Sequence, residues 1–87
     1  MPPSRRSPRQ ARLQELLKSG RLAAGLKQEE VARRLKRPQS FVSNYEAGER
    51  RLNAIELIDV CEAIKVDPRA IVEELMKVGD RGRRTRK

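Results

Sequence analysis

Histidine and tryptophan are both missing from this 87-residue chain. Without histidine the chain lacks the commonest general base and metal ligand. A single cysteine, Cys61, rules out an internal disulfide and a cysteine zinc site. It is expected to be a small buried hydrophobe. No apolar run is long enough for a membrane span, and Met1–Arg12 holds no signal-peptide core. The expectation is a soluble, cytoplasmic protein. No nucleophile–base pair, glycine-rich phosphate loop or metal-ligand set is present, so no enzyme, cofactor, metal or small-molecule substrate is expected. Aromatics are confined to Phe41 and Tyr45. Both fall on the apolar side of a helix and are expected in the core. That argues against a reader of single-stranded nucleic acid, which needs exposed aromatic rings.

Positive charge is abundant. The chain carries a net +9, and its placement is uneven. Residues 1–12 hold +4 with no acid, residues 79–87 hold +4, and the body between them is close to neutral at +1. The body is itself polarised. Residues 27–51 carry a net +3 and residues 52–78 a net −3. A positive half backed by a negative one would orient the molecule toward a polyanion.

Periodicity predicts five helices and no strands. Ser7-Pro8 reads as an N-cap followed by proline at the first helical position, starting a helix that runs to about Ala24. Its inward residues are Leu13, Leu16, Leu17, Gly20 and Ala24, and Gly25 stops it. A second helix begins near Gln28, with Val31, Ala32 and Leu35 inward. Lys36-Arg37-Pro38 forms the turn, and a third helix runs to Ala47 with Gly48 at its end. Asn53 with Glu56 resembles a capping box. The helix that follows is expected to bury Ala54, Leu57, Ile58, Cys61 and Ile64, with Ile55 and Val60 extending that face. Asp67-Pro68 repeats the cap-then-proline signal ahead of a fifth helix, which ends near Lys77. This divides the chain into a disordered basic arm (1–7), one domain (8–78) and a disordered basic tail (79–87).

The third helix has two unlike faces. At ~100° per residue, Gln39, Ser40, Ser43, Asn44 and Ala47 gather on one side. Phe41, Val42, Tyr45 and Glu46 gather on the other. The first face carries amides and hydroxyls but no charge, which suits base edges in a DNA groove.

Residues Gln28, Glu30, Val31 and Ala32, then Gln39, Ser40, Val42, Ser43, Tyr45, Glu46 and Gly48, closely resemble the phage lambda repressor/Cro-type helix-turn-helix family, also called the XRE family. The stretch ERRLNAIELIDVCEAIKVDP is similar to the family's third loop and its fourth and fifth helices. The resemblance spans roughly residues 9–76. It implies an all-α, five-helix bundle whose second and third helices contact double-stranded DNA, commonly as a dimer. By position, Gln39, Ser40 and Asn44 fall where the family contacts base edges, with Ser43 beside them. Gln28 matches a glutamine that contacts a phosphate and buttresses the residue equivalent to Gln39. Arg21 and Glu46 match an ion pair that braces the third helix. The chain departs from the pattern at Lys36, where glycine is usual, and at Lys27 and Pro38, where capping Ser or Thr is usual. Lys27, Lys36 and Arg37, with Arg50 and Arg51 on the other flank, become candidate phosphate contacts. Ile71, Val72, Leu75 and Met76 of the fifth helix form the candidate dimer surface.

The expectation is a sequence-specific transcriptional regulator, dimeric and reading a palindromic site through the major groove. The alternative is a protein-interaction module, such as the antitoxin of a toxin–antitoxin pair or a transcriptional coactivator, because the same fold serves such roles.

Overall fold

Each helix begins and ends where local chemistry directs it. The computed structural model describes residues 7–79, and the arm at 1–6 and the tail at 80–87 lie outside them. The described residues form α1 (Pro8–Ala23), α2 (Gln28–Leu35), α3 (Gln39–Ala47), α4 (Ala54–Ala63) and α5 (Pro68–Val78). The Ser7 hydroxyl accepts from the Gln10 N–H at 3.1 Å, which caps α1. Lys27 supplies no side-chain cap to α2, but Glu30 reaches back to accept the Lys27 N–H at 2.7 Å. One half of a capping box therefore survives. Lys36 adopts the left-handed conformation at φ 59°, as its place in the turn required. The Arg37 N–H then bonds back to the Ala32 carbonyl at 3.0 Å and closes α2. Gly48 ends α3 at φ 83°, and a Cβ there would sit 2.7 Å from Gln14 Oε1. Asn53 and Glu56 form the full capping box of α4, with bonds of 2.7 and 3.0 Å. Asp67 accepts from the Arg69 N–H at 2.9 Å at the start of α5.

The core gathers Leu17, Val31, Ala32, Phe41, Val42, Tyr45, Val60, Cys61, Ala63, Ile64 and Ile71. α2 packs on α3 and α4, while α1 packs on α3 and α5. Ala32 is buried, as expected of a small residue at a close helix crossing. Burial pushes the Cys61 thiol up to about 11, which leaves it an unreactive filler. Tyr45 is buried and makes an edge-on contact with Phe41, with ring centroids 5.6 Å apart.

The structure corrects three expectations of burial. Ala24, read as inward, is exposed at the C-cap of α1. In α4 the buried residues are Val60, Cys61 and Ala63, with Ile64 buried at its C-cap. Ile55 and Ile58 are exposed, and Ala54 is exposed with them. Apolar residues surround α4 on nearly every side, so periodicity alone could not choose its inner face. In α5, Ile71 is only 4% exposed and belongs to the core rather than to an outer surface.

Two charged clusters tie the elements together. Arg21 of α1 donates to both oxygens of Glu46 in α3, at 2.7 and 3.1 Å. Its third donor reaches the Leu26 carbonyl at 2.9 Å. These side chains are 9% and 5% exposed. Around α4, Glu56 accepts from Arg50 at 3.0 and 2.9 Å while holding the Asn53 N–H. The Arg50 guanidinium, with help from that backbone N–H, lowers the Glu56 carboxyl to about 2.

Breaking the buried pair strands a charge away from water. Replacing either Arg21 or Glu46 with alanine is expected to cost ~3–5 kcal/mol in urea unfolding. A cost below ~1 kcal/mol would class the pair with weak surface bridges. The Glu56 carboxyl titrates lower folded than unfolded, so its stabilisation is complete above about pH 4.5 and declines as pH falls toward 2. Asp67 and Glu74 are shifted in the same direction by their bonds to Arg69 and Lys77. Melting temperature should fall across that window, and Glu56→Gln should make the fall shallower. Parallel acid profiles would remove Glu56 from the linkage.

Candidate nucleic-acid interface

The outer face of α3 follows from what its inner face buries. Phe41, Val42 and Tyr45 are inside, which turns Gln39, Ser40 and Asn44 outward, with Ser43 half-exposed beside them. The Ser43 hydroxyl donates to the Ser40 carbonyl at 3.3 Å, which leaves its lone pairs directed outward. Together these groups form a short, uncharged row of donors and acceptors, as the helical wheel indicated.

The row is braced from behind by a continuous chain of hydrogen bonds. Gln39 donates to Gln28 at 3.2 Å, and Gln28 donates to Glu46 at 3.0 Å. Glu46 is gripped in turn by Arg21. One end of this relay faces solvent at the head of α3, and the other is anchored in α1. Gln28 sits at the first position of α2, so the relay also sets the start of that helix against α3. The outer two links, Gln28 with Gln39 and Arg21 with Glu46, were expected by position, and the Gln28–Glu46 bond found in the structure joins them into a single chain.

The cationic candidates divide into two groups. Lys27 and Lys36 are exposed, the first before α2 and the second in the turn after it. Arg37 and Arg50 instead converge, although 13 positions apart in sequence. Both guanidiniums lie over the Phe41 ring, 4.3 and 4.8 Å from its centroid. Both also bond Glu56 Oε2, at 3.4 and 2.9 Å. Arg50 is thus drawn to the same ring as Arg37 rather than standing apart on the far flank of α3. Arg51 is exposed and its carbonyl accepts from Arg50 at 2.8 Å.

Sequence reasoning saw Glu56 only as a capping residue. Its second role, gathering two arginines, needed the fold to bring two loops onto one ring. Arg34 was missed as well. Its guanidinium donates to the Ala63 carbonyl at 2.7 Å and closes the C-terminal end of α4. No local signal marked it, because its partner is 29 positions away.

Of the proposed dimer residues, Val72 and Met76 are exposed, Leu75 is half-buried, and Ile71 is interior. Val72 and Met76 line an open apolar groove between α4 and α5 together with Leu57 and Ile58. No helix of the described residues is long and apolar enough to cross a membrane.

The helix-turn-helix family model HTH_3 matches residues 17–71. No curated protein matches the chain. Among solved structures, an XRE-family-like protein from Pseudomonas syringae pv. tomato str. DC3000 is 47% identical, with a TM-score of 0.78 over 83% of this chain and 88% of that one. A point mutant of the restriction-modification controller protein C.Esp1396I is 25% identical, with a TM-score of 0.72 over 82% of this chain and 90% of that one. The family match takes in α2, the turn and α3, and the same residues carry the braced polar row. The chain therefore belongs to the XRE-type helix-turn-helix family and is a DNA-binding transcription regulator.

Proposed function

We propose that this regulator is a non-enzymatic, cytoplasmic homodimer that reads a two-fold operator by laying α3 in the major groove. The observation that carries the reading is the uncharged row of α3, held by the Gln39–Gln28–Glu46–Arg21 relay. A base-reading amide discriminates only when its orientation is set beforehand, since a freely rotating amide matches donor and acceptor edges alike. Gln39 and Asn44 each present an amide that can pair with adenine, and Ser40 and Ser43 add short contacts beside them. Gln28 and Lys27 flank the start of α2, where backbone N–H groups and the helix dipole favour a phosphate. Lys36, Arg37 and Arg51 extend the phosphate contacts around α3, and Arg50 stands beside them in the grip of Glu56. No cofactor is required for this binding.

The dimer surface we assign is the α4–α5 groove, revised to Ile58, Val72 and Met76, because Ile71 lies in the core and Leu75 packs against it. Its rim supports self-association. Arg69 and Glu73 border it one helical turn apart on α5, and an antiparallel pairing of two copies would set each against its opposite. In this arrangement the acidic half of the body faces the partner copy and the basic half faces DNA.

Replacing Gln39 or Asn44 with alanine is expected to weaken binding to a selected operator by ~1–3 kcal/mol and to relax base preference at one position. Binding-site selection from random DNA gives both readouts, and an unaltered preference would remove α3 from the groove. Met76→Glu should convert a dimer to a folded monomer by light scattering and circular dichroism, and operator affinity should fall with it. A wild-type protein that is monomeric both free and on its operator would overturn the dimer.

A further inference from the structure

Two arginines share one carboxylate at the edge of the interface, and they share it unequally. Arg50 is bound through two of its nitrogens, at 3.0 and 2.9 Å from the two Glu56 oxygens, and its Nη1 also donates to the Arg51 carbonyl. One of the two guanidinium edges that can grip a phosphate bidentately is therefore already occupied. Arg37 makes one long bond of 3.4 Å to the same carboxylate. The carboxylate lies inside and the cations outside: Glu56 is 13% exposed, Arg37 43% and Arg50 39%. Both guanidiniums rest on the Phe41 ring.

We infer that Glu56 is an internal competitor for backbone phosphate, which keeps Arg50 out of non-specific DNA contacts. The inference rests on the DNA-binding reading of this face. Arg37 and the exposed lysines can meet a phosphate as they stand. Arg50 meets one either through its remaining Nε–Nη2 edge, with its charge already balanced by Glu56, or by leaving a carboxylate that holds it in bidentate geometry. On DNA of arbitrary sequence that exchange returns little, because one charge-assisted pair replaces another. The carboxylate therefore lowers sequence-independent affinity while leaving the amide row of α3 untouched. Base contacts by that row then supply a larger share of the binding energy.

The test measures binding of the full chain to a random-sequence duplex by fluorescence anisotropy across roughly 50 to 200 mM salt. Glu56→Gln removes the charge while leaving a carbonyl oxygen that can still accept from the Asn53 N–H. It should bind the duplex more tightly and steepen the logarithmic salt slope by about 0.9, the mark of one further phosphate contact. That corresponds to about a three- to fourfold greater loss of affinity across the range. Glu49→Gln, in the same loop as Arg50, controls for net charge and should change the slope by less. Equal changes in the two variants, or an unchanged slope in Glu56→Gln, would overturn the inference. Circular dichroism checks folding. If Glu56→Gln is unfolded, Glu56→Asp, which withdraws the carboxylate by one methylene, should steepen the slope by a smaller amount, and no change would overturn it. A wild-type chain that binds no duplex at any salt would instead refute the reading on which the inference rests.

Discussion

The buried pair of Arg21 and Glu46 is the constraint on which the working face depends. An ion pair withdrawn from water is tolerated only when its remaining hydrogen-bonding capacity is used. Here Arg21 spends its donors on both Glu46 oxygens and on the Leu26 carbonyl, and Glu46 accepts a further bond from Gln28. The consequence is geometric more than energetic. α1, the start of α2 and the body of α3 are fixed to a single cluster, so α3 cannot roll about its axis without breaking several charge-assisted bonds together. The amide at the head of α3 inherits that rigidity through Gln28.

A second cluster does for the loops what the first does for the helices. Glu56 caps α4 and holds Arg50, and Arg50 and Arg37 together cover the outer face of Phe41. Phe41 is thus shielded by cations whose stems and guanidinium planes suit an aromatic surface. This accounts for how a chain with two aromatic residues places one of them at its edge while leaving it only 6% exposed. One interior detail has no such account. The Tyr45 hydroxyl is buried without a hydrogen-bond partner among the described residues, and burial holds it well above its ordinary pKa.

Much of the fold was legible because its signals are local. Ser7-Pro8, Asn53 with Glu56, Asp67-Pro68, Gly25 and Gly48 each govern only the turn around them, and each was found in its expected role. Lys36 was legible for the same reason, as a residue in a position that requires a left-handed turn. Lys65, also left-handed at φ 60°, was not. Nothing in its neighbourhood distinguishes it from an ordinary helix end. Its turn instead continues the wrapping of α4 into α5, where the Val66 N–H bonds back to the Cys61 carbonyl at 2.8 Å.

The sequence by itself determined the five helices, the sign and polarity of the charge, and the two-faced character of α3, because capping, periodicity and composition act within a few residues of one another. Only the tertiary structure decided which side of α4 is interior, because a helix apolar on nearly all sides has no preferred face until a neighbour covers one. Tertiary packing also moved Ile71 from the surface to the core and exposed Ile58 in the groove beside Val72 and Met76. It drew Arg37 and Arg50 onto one ring under one carboxylate, a convergence of two loops that no spacing in the chain encodes.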